Sequence, residues 1–138
     1  LKAAAELGWT HALQVDADGQ HDVAAAAALR ALSQARPEAV VCGVPRYDAS
    51  VPGARKFGRY LTHTFVWLET LSFDISDSMC GFRIYPLDAT LDVLARERIG
   101  DRMDFDTEIL VHLYWRGLDV VEAPVAVTYP EGNVSNFD

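Results

Sequence analysis

Two carboxylates, Asp16 and Asp18, stand two positions apart where the apolar run Ala12-Leu13-Gln14-Val15 gives way to Ala17, Gly19, Gln20 and His21. Side chains at i and i+2 of an extended segment point the same way, so the pair faces a common spot. Two anions held that close repel unless a cation lies between them. Hard oxygen ligands of this kind suit Mg²⁺ or Mn²⁺, which keep several waters and share a substrate phosphate. The chemistry expected of this turn is metal-assisted handling of a diphosphate; the bland alternative is a loop rich in Asp and Gly. His21 beside it fits a supporting or solvated role better than that of a ligand.

A second constellation is basic. Arg46, Arg55, Lys56 and Arg59 are four of the twelve Lys and Arg in an acidic chain, and two of them open a helix. Cations at a helix N-terminus oppose its dipole, whereas a bound anion reverses the balance and gains both amides and guanidinium forks. The alternative is a solvated basic face whose aliphatic stems cover apolar surface. With a diphosphate turn in the same chain, an anion site is the stronger reading. Asp77 and Arg83 bracket Ser78-Met79-Cys80-Gly81-Phe82, a tight loop able to present a carboxylate at the sheet edge where α/β ligands bind, or else to hold an ion pair. Asp104, Asp106 and Glu108 precede an apolar helix, and capping is expected of at least one of them. His11, His63 and His112 show no mutual spacing, and Trp9, Trp67 and Trp115 read as core.

The elements that must position these groups follow from periodicity. A helix ending at Gly8 leads to a buried strand at about 10–15, then the Asp turn. Asp22 caps an Ala-rich helix over about 23–35, stopped before Pro37. A buried strand over 39–44 and a loop over 45–53 precede a long helix, 54–71, with Phe57, Leu61, Thr64, Phe65, Leu68 and Leu71 on one face. A short alternating strand at Phe82-Arg83-Ile84-Tyr85 is followed by helices over 87–96 and 106–116, the second closed by Gly117. A strand over 118–127 ends the pattern, its Pro124 pointing to an edge or bulge. Strands alternating with helices predict an α/β layer architecture with a mostly parallel sheet.

Composition bounds the function. At 138 residues the chain is one domain's worth, and 50% hydrophobic with 23% charged residues is ordinary for a soluble globular protein. A net charge of −8 argues against a nucleic-acid binder. Cys42 and Cys80 make no disulfide framework and fit small buried residues in a reducing compartment. No apolar run approaches a membrane span and nothing at the start resembles a signal peptide, so a cytoplasmic location is expected. The chain opens inside a helical pattern and reads as part of something longer.

Taken in order, these segments resemble the later part of the catalytic domain of family 2 glycosyltransferases, close to the dolichyl- and polyprenyl-phosphate sugar transferases. The matching pieces are Asp16-Ala17-Asp18-Gly19-Gln20-His21, Gly43-Val44-Pro45-Arg46-Tyr47, Arg55-Lys56 with Arg59, Asp77 through Tyr85, Phe105-Asp106-Thr107-Glu108-Ile109-Leu110, and Arg116-Gly117 through Val125. The resemblance implies a GT-A fold, a Rossmann-like α/β sandwich with flanking helices, residues 1–138 being a single partial domain that lacks the N-terminal nucleotide-binding strands. It implies an inverting sugar transfer from a nucleoside-diphosphate donor, dependent on Mg²⁺ or Mn²⁺, to polyprenyl phosphate or a hydroxyl acceptor at or near the cytoplasmic face of a membrane. Asp16 and Asp18 become the Asp-x-Asp pair, Asp18 the direct metal ligand, with Gln20 assisting. Arg46 and Arg55, with Lys56 and Arg59, match positions that hold an acceptor phosphate. Asp77 lies in the segment lining the donor–acceptor junction, with Arg83 binding substrate. Asp106 and Glu108 match the acidic pair from which a base is drawn, and a hydroxyl acceptor would take Asp106 or Asp77 as that base. The family's Arg a few residues before Gly-x-Ser is absent ahead of Gly132 and Ser135, which leaves other acceptors open. Two rivals stand beside this reading. Haloacid-dehalogenase-type phosphatases also open with a strand and Asp-x-Asp-Gly, which would make Asp16 a nucleophile and Gly100-Asp101-Arg102-Met103-Asp104 the late acidic motif. A non-catalytic fragment that binds a sugar nucleotide is the other.

Overall fold

The structure, a computed structural model, describes residues 1–17, 20–46, 53–102 and 104–127, without the side chains of residues 53–61. Helix α1 (Lys2–Glu6) ends at Gly8, whose φ of 81° suits a residue without a Cβ, and strand β1 (His11–Gln14) follows. Asp22 accepts a hydrogen bond from the Ala24 amide (2.9 Å), capping a 3-10 turn, Val23–Ala25, that runs into α2 (Ala26–Ala35). Then come β2 (Val40–Arg46), α3 (Gly53–Thr70), β3 (Arg83–Pro86), α4 (Leu87–Arg96), α5 (Phe105–Trp115) and β4 (Val120–Ala126). Among the described residues no helix is long and apolar enough to cross a membrane.

The sheet order is β1-β3-β2-β4. β2 and β4 pair in parallel from Val40 opposite Val120 to Arg46 opposite Ala126, whereas β3 is antiparallel to both β1 and β2. Three strands therefore run one way and β3 the other. The sheet is mixed, which corrects the expectation of a mostly parallel one. The cause lies in the connection: Arg83, first in β3, sits opposite Gln14, last in β1. The chain re-enters the sheet at the end where β1 leaves it, instead of crossing back as a parallel strand requires.

Alternate side chains feed two cores. Val40, Cys42 and Tyr85 join Val66 of α3, Val93 of α4 and Ile109, Leu110, Val111 and Leu113 of α5 on one face. Val41, Phe82, Ile84, Ala123 and Val125 pack on Leu29 of α2 on the other. Covered on both faces, β3 buries all four of its residues. β1, by contrast, has a strand on one side only among the described residues, and Leu13 (45%) and Val15 (42%) stay exposed rather than buried as expected. β4 forms the opposite edge, where Pro124 is tolerated, as its position suggested.

Helix α3 turns a different face inward from the one its apolar pattern predicts. Thr64, Phe65, Leu68 and Leu71 are exposed, while His63 and Val66 are buried and Trp67 and Thr70 half-buried. Phe57 and Leu61 lie outside the described side chains. The reason is what packs on the helix: Trp67 donates its indole N–H to the Ile75 carbonyl (2.9 Å), tying the segment after α3 to that side. Trp9 and Trp115 are exposed, contrary to their expected core role, and Trp115 donates its indole N–H to the Glu69 carbonyl (3.0 Å).

Candidate functional site

Because β3 starts where β1 stops, three pieces converge at one end of the sheet: the exit of β1, the turn 77–82 and the first turn of α5. Gln14 donates from Nε2 to Asp106 Oδ1 (2.8 Å), joining residues 92 positions apart. Arg83 has no exposed surface and donates from Nη2 to the Ser78 carbonyl (2.6 Å) and from Nη1 to the Asp106 carbonyl. Thr107 Oγ1 donates to the same Ser78 carbonyl (3.2 Å). Burial opposes the charge on Arg83, but Tyr85, Cys42 and Asp106 outweigh it and hold the group above the ordinary guanidinium range. Burial likewise pushes the Cys42 thiol and the Tyr85 phenol up to about 12 each, against the opposing pull of Arg83. Arg83, expected to bind substrate, is found inside the protein with its Nη atoms on backbone carbonyls and its Nε buried without a hydrogen-bond partner among the described residues.

Asp16 lies just beyond β1, its carboxylate directly over Gly81, so that a Cβ on Gly81 would overlap both carboxylate oxygens. Oδ2 is 3.9 Å from His21 Nε2. The His21 ring leans on Phe82 with centroids 5.3 Å apart, and its Nδ1 is buried with no hydrogen-bond partner among the described residues. Asp16, Met79, Arg102 and Asp106 line one solvent-open cavity of about 390 Å³.

Other predicted site residues take other places. Asp77 is buried, and its Oδ1 accepts from the amides of Met79 (2.9 Å) and Cys80 (3.0 Å), folding the turn that carries Met79 to the cavity wall. Glu108 accepts from the Gly100 amide (2.7 Å), and Asp104 accepts from the Arg102 amide (3.2 Å). Half-buried Gln20 and exposed Arg46 do not line the cavity. Asp18 and the side chains of Arg55, Lys56 and Arg59 lie outside the described residues. Sequence reasoning missed Arg102, Met79 and Gln14 as site residues; the one available signal was the Gly100-Asp101-Arg102 turn immediately ahead of the acidic start of α5.

Comparison with known proteins gives no match. Neither a family model, nor a curated protein, nor a solved structure matches the chain.

Among the described residues no three His, Cys, Asp or Glu side chains converge as a ligand set. The donors that do face the cavity, the carboxylates of Asp16 and Asp106, are hard oxygens of the type Mg²⁺ and Mn²⁺ accept, and such ions complete their shell with water and substrate phosphate. Two acids and a guanidinium on one open cavity can hold a cation, an anion and a proton acceptor side by side.

Proposed function

We propose that this chain belongs to a glycosyltransferase that moves a sugar from a nucleoside-diphosphate donor to polyprenyl phosphate or a hydroxyl acceptor. The observation that supports it best is the cavity that Asp16 and Asp106 share with Arg102. Asp16, together with Asp18 and Gln20, would hold Mg²⁺ or Mn²⁺. A bound divalent cation supplies Lewis-acid stabilisation of the leaving diphosphate. The acceptor oxygen bonds to the anomeric carbon as the carbon–oxygen bond to the diphosphate breaks, inverting the centre. Asp106, held through Oδ1 by Gln14, takes the proton of a hydroxyl acceptor on its other oxygen. A phosphate acceptor arrives ionised and needs only the cations Arg46, Arg55, Lys56 and Arg59. Asp77 and Glu108 act through the turns they hold. The finer fold assignment is GT-A; the open edge of β1, with Leu13 and Val15 uncovered, supports it as the place where nucleotide-binding strands would add.

The test is release of free nucleoside diphosphate from UDP- and GDP-sugars by the native protein, with a polyprenyl phosphate or a saccharide acceptor. Turnover is expected to vanish with EDTA and return with Mn²⁺. Asp16→Ala should lower kcat/KM by about 10²-fold, the scale of losing one electrostatic stabiliser of a transition state. Near-normal turnover in Asp16→Ala or Asp18→Ala overturns the reading.

A further inference from the structure

Arg102 reaches the cavity on a short loop that the fold goes to some length to fix. Glu108, one turn into α5, accepts the Gly100 amide at 2.7 Å, and Asp104 accepts the amide of Arg102 itself at 3.2 Å. The Phe105 amide donates to the Arg102 carbonyl at 3.1 Å. Main-chain atoms on both sides of the side chain are thus tied to the start of α5, the helix that also carries Asp106. The guanidinium takes no part in the ion pairs found among the described residues, although two carboxylates line the same cavity. Arg36, Arg96 and Arg116 each pair with acids; Arg30, Arg46 and Arg98 are absent from those pairs too, but of these arginines only Arg102 lines the cavity. In a chain of net charge −8, a guanidinium held at a cavity without an acidic partner among the described residues is placed to offer its fork to something that comes from solution.

We infer that Arg102 is a phosphate-binding residue of this cavity, donating to the anionic oxygens of a phosphate-bearing ligand. The inference rests on the transferase reading for the kind of ligand, and it adds the residue that would neutralise part of the ligand's charge in the cavity Asp16 lines. The planar fork matches two oxygens of one phosphoryl group, a geometry that a lysine ammonium cannot reproduce. Two parts of a sugar-transfer reaction carry such oxygens, the diphosphate of the donor and the phosphate of an isoprenoid acceptor.

The experiment is calorimetric titration of the full chain with UDP and GDP in the presence of Mn²⁺, and separately with citronellyl phosphate, a water-soluble isoprenyl phosphate. Wild type, Arg102→Ala, Arg102→Lys and Asp16→Ala are compared, each checked by circular dichroism. Losing charge-assisted hydrogen bonds should weaken binding in Arg102→Ala by about tenfold or more, with Arg102→Lys between the two. A loss confined to the nucleotides assigns Arg102 to the donor; a loss confined to citronellyl phosphate assigns it to the acceptor. If Arg102→Ala binds every probe as wild type does while Asp16→Ala loses the nucleotides, the inference falls and the transferase reading stands. If wild type binds none of the probes, both fall.

Discussion

At the scale of single residues, the contact that places Asp16, the acid proposed to hold the metal, is the one with Gly81. Any side chain on Gly81 would occupy the volume of the Asp16 carboxylate, so the acid must swing away. Gly81→Ala is therefore expected to leave the far-ultraviolet circular dichroism unchanged and to lower kcat/KM by about 10²-fold, the cost of misplacing a reacting group by about an ångström. Wild-type turnover in that variant would mean that Asp16 is not held where it works. Asp16 and Asp106 were legible in the sequence because their positions, at a strand exit and a helix start, are positions where a carboxylate is presented. Arg83 was not. The sequence offered it as a substrate-binding residue or the partner of Asp77, and only folding brings the carbonyls of Ser78 and Asp106, 5 and 23 positions away, around it. For Arg102 the turn Gly100-Asp101-Arg102 ahead of α5 was the one hint, and the cavity identifies it.

At the scale of elements, α3 ends under strain. Leu71, the residue after its last turn, has φ of 50°, a left-handed conformation in which a Cβ crowds the following carbonyl. Glycine removes that clash, and Leu71 is exposed, so little packing is lost in exchange. Leu71→Gly should stabilise the protein by about 1 kcal/mol and raise Tm by about 3 °C in a thermal melt; a lowered Tm would contradict the assignment. The same helix marks where pattern reading stops. Its extent follows from composition and spacing, but its inward face was set by the segment 72–81, which offers Ile75 and its carbonyl to Val66 and Trp67. Periodicity locates a stripe; it does not say what will pack there. The direction of β3 escaped for a related reason, since alternation is the same read forwards or backwards and only the return of the chain beside Gln14 fixes it.

At the scale of the whole molecule, the buried ionisable groups set the alkaline limit of stability. In the fold, Cys42 and Tyr85 keep their protons up to about 12, whereas unfolded they release them near their ordinary values of 9.0 and 10.0. Above about pH 9 the unfolded chain therefore binds fewer protons than the native one, and stability declines until about pH 12. The denaturant midpoint should be level between pH 7 and roughly 8.5 and fall beyond it, with the fall reduced in Cys42→Ala/Tyr85→Phe. A midpoint that holds to pH 11 in wild type would place these groups nearer to solvent. The guanidinium of Arg83 has a mechanical consequence as well. By gripping the Ser78 turn and the head of α5 at once, it makes them a single jaw, so the mouth between Asp16 and Asp106 cannot widen by parting those two pieces. The span that carries Arg102 hangs on the same head of α5 through Glu108 and Asp104, so Arg102 and Asp106 keep their spacing as one body.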